Sequence, residues 1–326
     1  MPDDFGYLNA RIRSRRSQLL PEGFFRQALS LNFPELVRVL RQTIYGPDLT
    51  GDGLIDVDRA VAVHLDRTVA DLPKLVSGEA QEAMNLLLME ADLANVKTIL
   101  RGKSTGRSVD EIMGHLVGGT LPRGLHNVMV EAPDAASLAQ VLALPNHLLA
   151  KALREASRAG HEQIEIEILL DQVFYATVLR RALELEQPYL VNFIKFEIDA
   201  SNLSTGVKLF TIGFEGLPDR FFLKGGRRVG LPLFRRLSDG EMAALQELSG
   251  TDFGLVAEVR DLGGLERGLR CALLAKAREQ AKDVLGAGLA IDYIEHKEWE
   301  ASRIRLLARR AYYDLLPASI EQDVFC

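Results

Sequence analysis

The sequence predicts an all-α protein of three similar helical-bundle domains in a pseudo-threefold arrangement, and three observations carry that expectation. The pattern Glu-x-acid-x-x-(Asn or Arg)-aliphatic occurs three times, as Glu90/Asp92/Asn95/Val96, Glu197/Asp199/Asn202/Leu203 and Glu298/Glu300/Arg303/Ile304. An aliphatic-acid pair keeps step with it: Val57-Asp58, Ile164-Glu165 and Leu265-Glu266 each place their acid 34 positions before the motif's second acid. Around each motif, apolar residues recur at steps of three and four, the stripe of an α-helix. The stripes are Leu86, Met89, Leu93, Val96 and Leu100; Phe193, Phe196, Ala200, Leu203 and Val207; and Ile294, Lys297, Ala301, Ile304 and Ala308, the last weaker at Lys297.

Further marks set the order of elements in each repeat. Gly118-Gly119 begins 28 residues after Glu90, Gly225-Gly226 begins 28 after Glu197, and Cys326 lies 28 after Glu298. Leu20-Pro21, Leu121-Pro122 and Leu231-Pro232 open the repeats. Helix starts are expected at Asn32, Asp134 and Ser238, whose side chains suit an N-cap; Asn32 with Glu35 and Ser238 with Glu241 have capping-box spacing. Each repeat of roughly 105 residues then reads as a short capped helix, a loop, and two longer helices that fill the 34-residue interval and carry the motif. The expected boundaries are 1–117, 118–224 and 225–326. Only KLFTIGF at Lys208 and FFLKGG at Phe221 hint at strands, and glycine interrupts both. Small helical units hide little apolar surface alone, so the three should pack against one another.

Composition limits the function. Hydrophobic residues make up 47% and charged residues 26%, the balance of a globular chain with ample core. A net charge of −6 argues against nucleic acid as the main partner. No apolar run approaches the ~18 residues of a membrane span, and the N-terminus lacks the apolar core of a secretory signal. Cys271 and Cys326 fit neither a disulfide framework nor a zinc site, which suits a reducing cytosol.

Several motifs imitate known sites and fail on a specific residue. DLTGDGLIDVDR from Asp48 resembles an EF-hand loop, but Arg59 stands where a bidentate Glu belongs, so an Asp/Gly-rich connection before a helix is the simpler reading. RGKSTG at Arg101 ends like a phosphate loop, yet Lys97 occupies the place of its first glycine and a helix precedes it. HEQIE at His161 lacks the second histidine of a zinc-protease helix. No catalytic grouping emerges, and no cofactor or metal site is expected.

The triplicated polar residues remain as the candidate site: Glu90, Asp92, Asn95, Glu197, Asp199, Asn202, Glu298, Glu300 and Arg303. Asp92 and Asn95 share a helix face, whereas Glu90 and Asp92 do not. Three copies about an axis form a carboxylate ring for a partner or cation, or else they cap and cross-link neighbouring helices. Arginines cluster at Arg11, Arg13, Arg15 and Arg16, and again at Arg303, Arg305, Arg309 and Arg310; such patches are solvated or paired faces, or dock an acidic partner or anionic headgroups.

YLNARIRSRR near the start, FFLKGGRR at Phe221, RDLGGLERGLRCALLAKA at Arg260 and EWEASRIRLLARRAYY at Glu298 resemble, in order and over essentially the whole chain, the C subunit of prokaryotic V-type (V/A-type) ATPases, a family related to the d subunit of eukaryotic V-ATPases. Arg303 departs from the Asn of the other two motifs. The resemblance implies a funnel of three helical domains that has no catalytic residues. It also implies a place in the central rotor, on the cytoplasmic side of the membrane, receiving the D and F subunits of the stalk and resting on the proteolipid ring for proton or sodium transport. Two readings from other classes stand beside it: a helical scaffold of a soluble complex, and a carboxylate-metal enzyme.

Overall fold

The computed structural model describes residues 4–326, and every regular element among them is helical. The first stretch contains α1 (Gly6–Arg16), α2 (Glu22–Ala28), α3 (Phe33–Leu40), α4 (Leu54–Ala70) and α5 (Gly78–Ser104). There follow α6 (Val109–His115), α7 (Arg123–Glu131), α8 (Ala135–Ala143), α9 (Leu149–Ala159), α10 (Gln163–Glu184) and α11 (Pro188–Thr211). The chain ends with α12 (Leu231–Ser238), α13 (Leu262–Gln280), α14 (Gly288–Tyr312) and α15 (Glu321–Val324). The expected pair of long helices is present three times, as α4/α5, α10/α11 and α13/α14. Each aliphatic-acid pair lies near the start of the first long helix, and each motif lies mid-way along the second.

Two of the three expected caps form. Asn32 accepts from the Glu35 N–H at 3.0 Å while the Glu35 carboxylate accepts from the Asn32 N–H at 3.1 Å, a closed capping box. Asp134 accepts from the Ser137 N–H at 2.7 Å and starts α8. Ser238 does not cap. Gly230 and Pro232 begin α12 earlier, so Ser238 falls at the helix's last residue, where its hydroxyl donates to the Phe234 carbonyl. The segment after it, Met242–Leu248, is 3₁₀. KLFTIGF is the last turn of α11 and the loop beyond it, and Phe221 closes a short 3₁₀ turn. Neither Cys271 nor Cys326 is a free thiol, which departs from the cysteine reading of the sequence.

The chain forms two compact units, residues 4–84 with 277–326, and residues 85–276. In the first, α14 packs on α1, α3 and α4. Its buried stripe of Ile294, Ala301, Ile304 and Ala308 meets a core that includes Leu8, Ile12, Leu36, Val61 and Leu65. In the second, α8 to α12 pack in succession. Phe196, Leu203 and Val207 of α11 share one apolar cluster with Leu233, Leu237, Leu245, Val256 and Leu265, and Phe196 stacks on Phe253 with ring centroids 4.4 Å apart.

Candidate functional site: a polar clamp made three times

Asp92 and Asn95 are one helical turn apart on α5, and both are buried. Asn95 reads both groups of one residue: its Nδ2 donates to the Val117 carbonyl at 2.7 Å and its Oδ1 accepts from the Val117 N–H at 2.9 Å. Asp92 takes the chain three residues on. It accepts from the Thr120 N–H at 3.0 Å, from the Thr120 hydroxyl, and from the Leu121 N–H at 3.3 Å. Pro122 then starts α7.

The second motif repeats the arrangement. Asn202 exchanges two hydrogen bonds with the main chain of Leu223, both 2.8 Å. Asp199 accepts from the N–H groups of Arg227, Arg228 and Val229 at 2.8, 2.8 and 2.9 Å, just before α12. Burial pushes the Asp199 carboxyl up, and the three N–H donors pull it back. The Gly-Gly pairs now have a reason. A Cβ on Gly119 would lie 2.2 Å from Asp92 Oδ1, and one on Gly226 would lie 2.0 Å from Asp199 Oδ1. Only glycine lets the main chain approach each carboxylate this closely.

No Gly-Gly pair follows the third motif. Its acid instead holds the beginning of the chain: Glu300 Oε2 accepts from the Leu20 N–H at 2.5 Å, and Pro21 starts α2. The longer glutamate has further partners, accepting from the Tyr45 hydroxyl at 2.7 Å and from Lys297 Nζ at 2.5 Å. Lys297, the weak position of the third stripe, is buried because this ion pair satisfies it; burial lowers its pKa and Glu300 opposes that. Arg303, in place of Asn, reaches both Glu22 oxygens at 2.8 Å, and its guanidinium stacks 3.5 Å from the Phe25 ring centre. The start of repeat 2 is thus held by motif 1, that of repeat 3 by motif 2, and that of repeat 1 by motif 3.

A second set of contacts obeys the same rule. Six residues beyond Asn95, Asn202 and Arg303 stand Arg101, Lys208 and Arg309. Arg101 binds Glu167 of α10, Lys208 binds Glu266 of α13 at 2.9 Å, and Arg309 binds Asp58 of α4 at 3.1 and 3.0 Å. Each motif helix therefore also grips the first long helix of the repeat it clamps. Lys97 adds a bond to both Asp171 oxygens at 2.8 Å.

The first acids of the motifs behave differently. Glu90 and Glu298 are exposed and Glu197 is half-buried. Tyr175, buried in the second unit, has its hydroxyl 3.5 Å from Glu90 Oε1, and its phenol is pushed up by burial and by Glu90 and Glu197. The second acids spend their oxygens on main-chain, hydroxyl and ammonium donors. Among the described residues no group of three or more His, Cys, Asp or Glu is placed to hold a metal ion. In the EF-hand-like stretch, Asp48 pairs with Arg67, Asp52 with Arg41, and Asp56 accepts from the Gly53 N–H.

The N-terminal arginines divide. Arg15 donates to the Thr68 carbonyl at 3.0 Å and Arg16 pairs with Asp292 at 3.0 Å. Arg11 and Arg13 are exposed and have no polar partner among the described residues. The C-terminal cluster is internal: Arg303 and Arg309 hold the carboxylates above, Arg310 donates to the Leu31 carbonyl, and burial lowers the Arg305 pKa. Sequence reasoning found the motif acids and the Gly-Gly spacing. It missed the clamped residues Val117 and Leu223, and also Glu22, Tyr45 and the ion-pair role of Lys297. The interruption of an apolar stripe by a lysine three residues from a glutamate was the available signal. No helix among the described residues is long and apolar enough to cross a membrane.

A family model described as ATP synthase (C/AC39) subunit matches residues 8–323. The chain is 49% identical over 326 residues, all of both chains, to a protein from Thermus thermophilus named as the C subunit of V-type ATP synthase. It is 32% identical to a protein of the same name from Deinococcus radiodurans, covering 99% of this chain and 92% of that one. A protein from Haloferax volcanii named as the C subunit of A-type ATP synthase is 25% identical, with 98% and 96% covered.

Proposed function

The chain belongs to the ATP synthase (C/AC39) subunit family, and from that footing we propose that it is a non-catalytic central-rotor subunit of a V-type ATPase/ATP synthase. It acts as a socket that joins the D and F subunits of the central stalk to the membrane proteolipid ring, on the cytoplasmic side, for proton or sodium transport. It is peripheral and reaches the membrane through its protein partners. The repeats 1–117, 118–224 and 225–326 are its duplicated units, set in a funnel about a pseudo-threefold axis.

The observation that carries this reading is the succession of clamps, in which each motif helix holds the start of the following repeat and the last holds the first. A coupling element must pass torque without yielding. Buried carboxylates bonded to several main-chain donors, backed by close-packed helices, resist shear because any slip strands buried polar groups. The exposed Arg11 and Arg13 are the polar docking residues, since charges at a rim tune encounter and register. Co-purification tests the proposal: the tagged chain should recover the proteolipid ring together with the stalk subunits, and recovery with soluble proteins alone would reject it.

A further inference from the structure

The first unit contains a cavity of about 160 Å³, lined by Arg15, Gln18, Arg67, Asp71, Tyr293 and Lys297 among others. The charges around it do not cancel. Arg67 is neutralised by Asp48, Lys297 by Glu300, and Asp71 by Lys74. Arg15 alone of the lining cations has no carboxylate partner among the described residues; its guanidinium meets the neutral Thr68 carbonyl. Tyr293 is buried, yet its hydroxyl has no hydrogen-bond partner among the described residues. The Gln18 side-chain amide is also without one. Gln18 is exposed and Arg15 half-buried, so these donors face a solvent-open cleft in which the one uncancelled positive charge favours an anion.

We propose that this cavity is a binding site for a small oxyanion of the phosphate class, held by the Arg15 guanidinium, the Tyr293 hydroxyl and the Gln18 amide. The volume admits a tetrahedral anion with its bound water. Two of the lining groups agree with this chemistry. Burial pushes the Tyr293 phenol up to about 12, so it is a donor at neutral pH. Burial, with Lys297 nearby, lowers the His64 imidazole to about 4, so at neutral pH it adds no charge to the cavity wall. An arginine with a planar fork of donors is the residue type that reads phosphate oxygens two at a time.

The test is calorimetric titration of the full chain with inorganic phosphate at constant ionic strength, with chloride as the reference anion and glycerol phosphate as a separate arm. Saturable phosphate binding is expected. Arg15→Gln should weaken it by about tenfold or more, the worth of a charged hydrogen bond, and Tyr293→Phe should weaken it by a few-fold. Arg13→Gln should leave it unchanged. Tighter binding of glycerol phosphate would assign the site to an esterified phosphate, and tighter binding of the free ion to phosphate itself. If Arg15→Gln loses its helical circular dichroism, Tyr293→Phe decides. Heats no larger than those of chloride, or undiminished binding in the folded variants, would overturn the proposal.

Discussion

The carboxylate of Glu300 accepts the main-chain N–H of Leu20, 280 positions earlier in the chain. This is the counterpart of the bonds from Leu121 to Asp92 and from Arg227, Arg228 and Val229 to Asp199. The substitution of glutamate for aspartate is explained by what it must reach. The side chain satisfies Lys297 and Tyr45 in addition to the main chain, and the phenol of Tyr45 is pushed far up by burial and by Glu300.

Glu300→Gln should therefore be severe. It leaves the Lys297 ammonium, 1% exposed, without its counter-charge. Removing one member of a buried pair costs about 3–5 kcal/mol. Lys297→Met in the same chain should restore a large part, because both charges are then gone. Chemical denaturation of the two single variants and the double variant measures this coupling, and additive losses would show that the pair is not the reason.

The glycines of the first two clamps make a sharper prediction. Gly119→Ala and Gly226→Ala each push a methyl group into a carboxylate, with contacts of 2.2 and 2.0 Å. Each should cost about 1–3 kcal/mol, the usual range for forced overpacking. Gly124→Ala in α7 meets nothing within 4 Å and should stabilise the chain by roughly 0.5–1 kcal/mol through helix propensity. Thermal melts of all three in one buffer check the ordering.

His64 sets an acid limit. Its folded pKa lies near 4, lowered by burial first and by Lys297 second, with Asp48 opposing and Arg67 adding a further lowering. As pH falls from about 6.5, the unfolded chain takes up the proton before the folded one does, so stability rises with pH across that window. The contribution is intact above pH ~6.5 and is lost as pH falls to 4. At ~1.4 kcal/mol per unit the ceiling is about 3 kcal/mol. His64→Gln should flatten the dependence of the denaturation midpoint between pH 4 and 6.5; an unchanged slope would place the titration elsewhere.

The helical class and the long-helix pairs are legible in the sequence because periodicity and spacing are local properties of a chain. Asp92 and Asp199 are legible as a repeated feature for the same reason. Their partners are not. A main-chain N–H carries no residue identity, so nothing in the letters of Thr120, Leu121 or Val229 announces that it meets a carboxylate. Arg303 looks like a lapse in the pattern, although Glu22 and Phe25 supply it with an ion pair and a stacking ring some 280 positions away. The failed cap at Ser238 has the opposite cause: the local signal is present, but Gly230 and Pro232 supply a stronger one eight and six residues earlier.

The division of the N-terminal arginines bears on assembly. Arg11 and Arg13 have nothing internal to lose, so Arg11→Glu with Arg13→Glu should leave the melting temperature nearly unchanged, surface changes of this kind falling within about 0.5 kcal/mol. Arg16→Glu should destabilise the isolated chain, since it places a carboxylate against buried Asp292. If α1 docks on a partner, the double variant should weaken assembly and flatten or reverse its salt dependence, because the lost attractions are the ones that salt screens, within a Debye length of about 10 Å at 0.1 M salt. In membranes reconstituted with the variant complex, ATP hydrolysis should continue while ion pumping falls, catalysis residing in other subunits. Full pumping and unchanged assembly would move the docking surface away from α1.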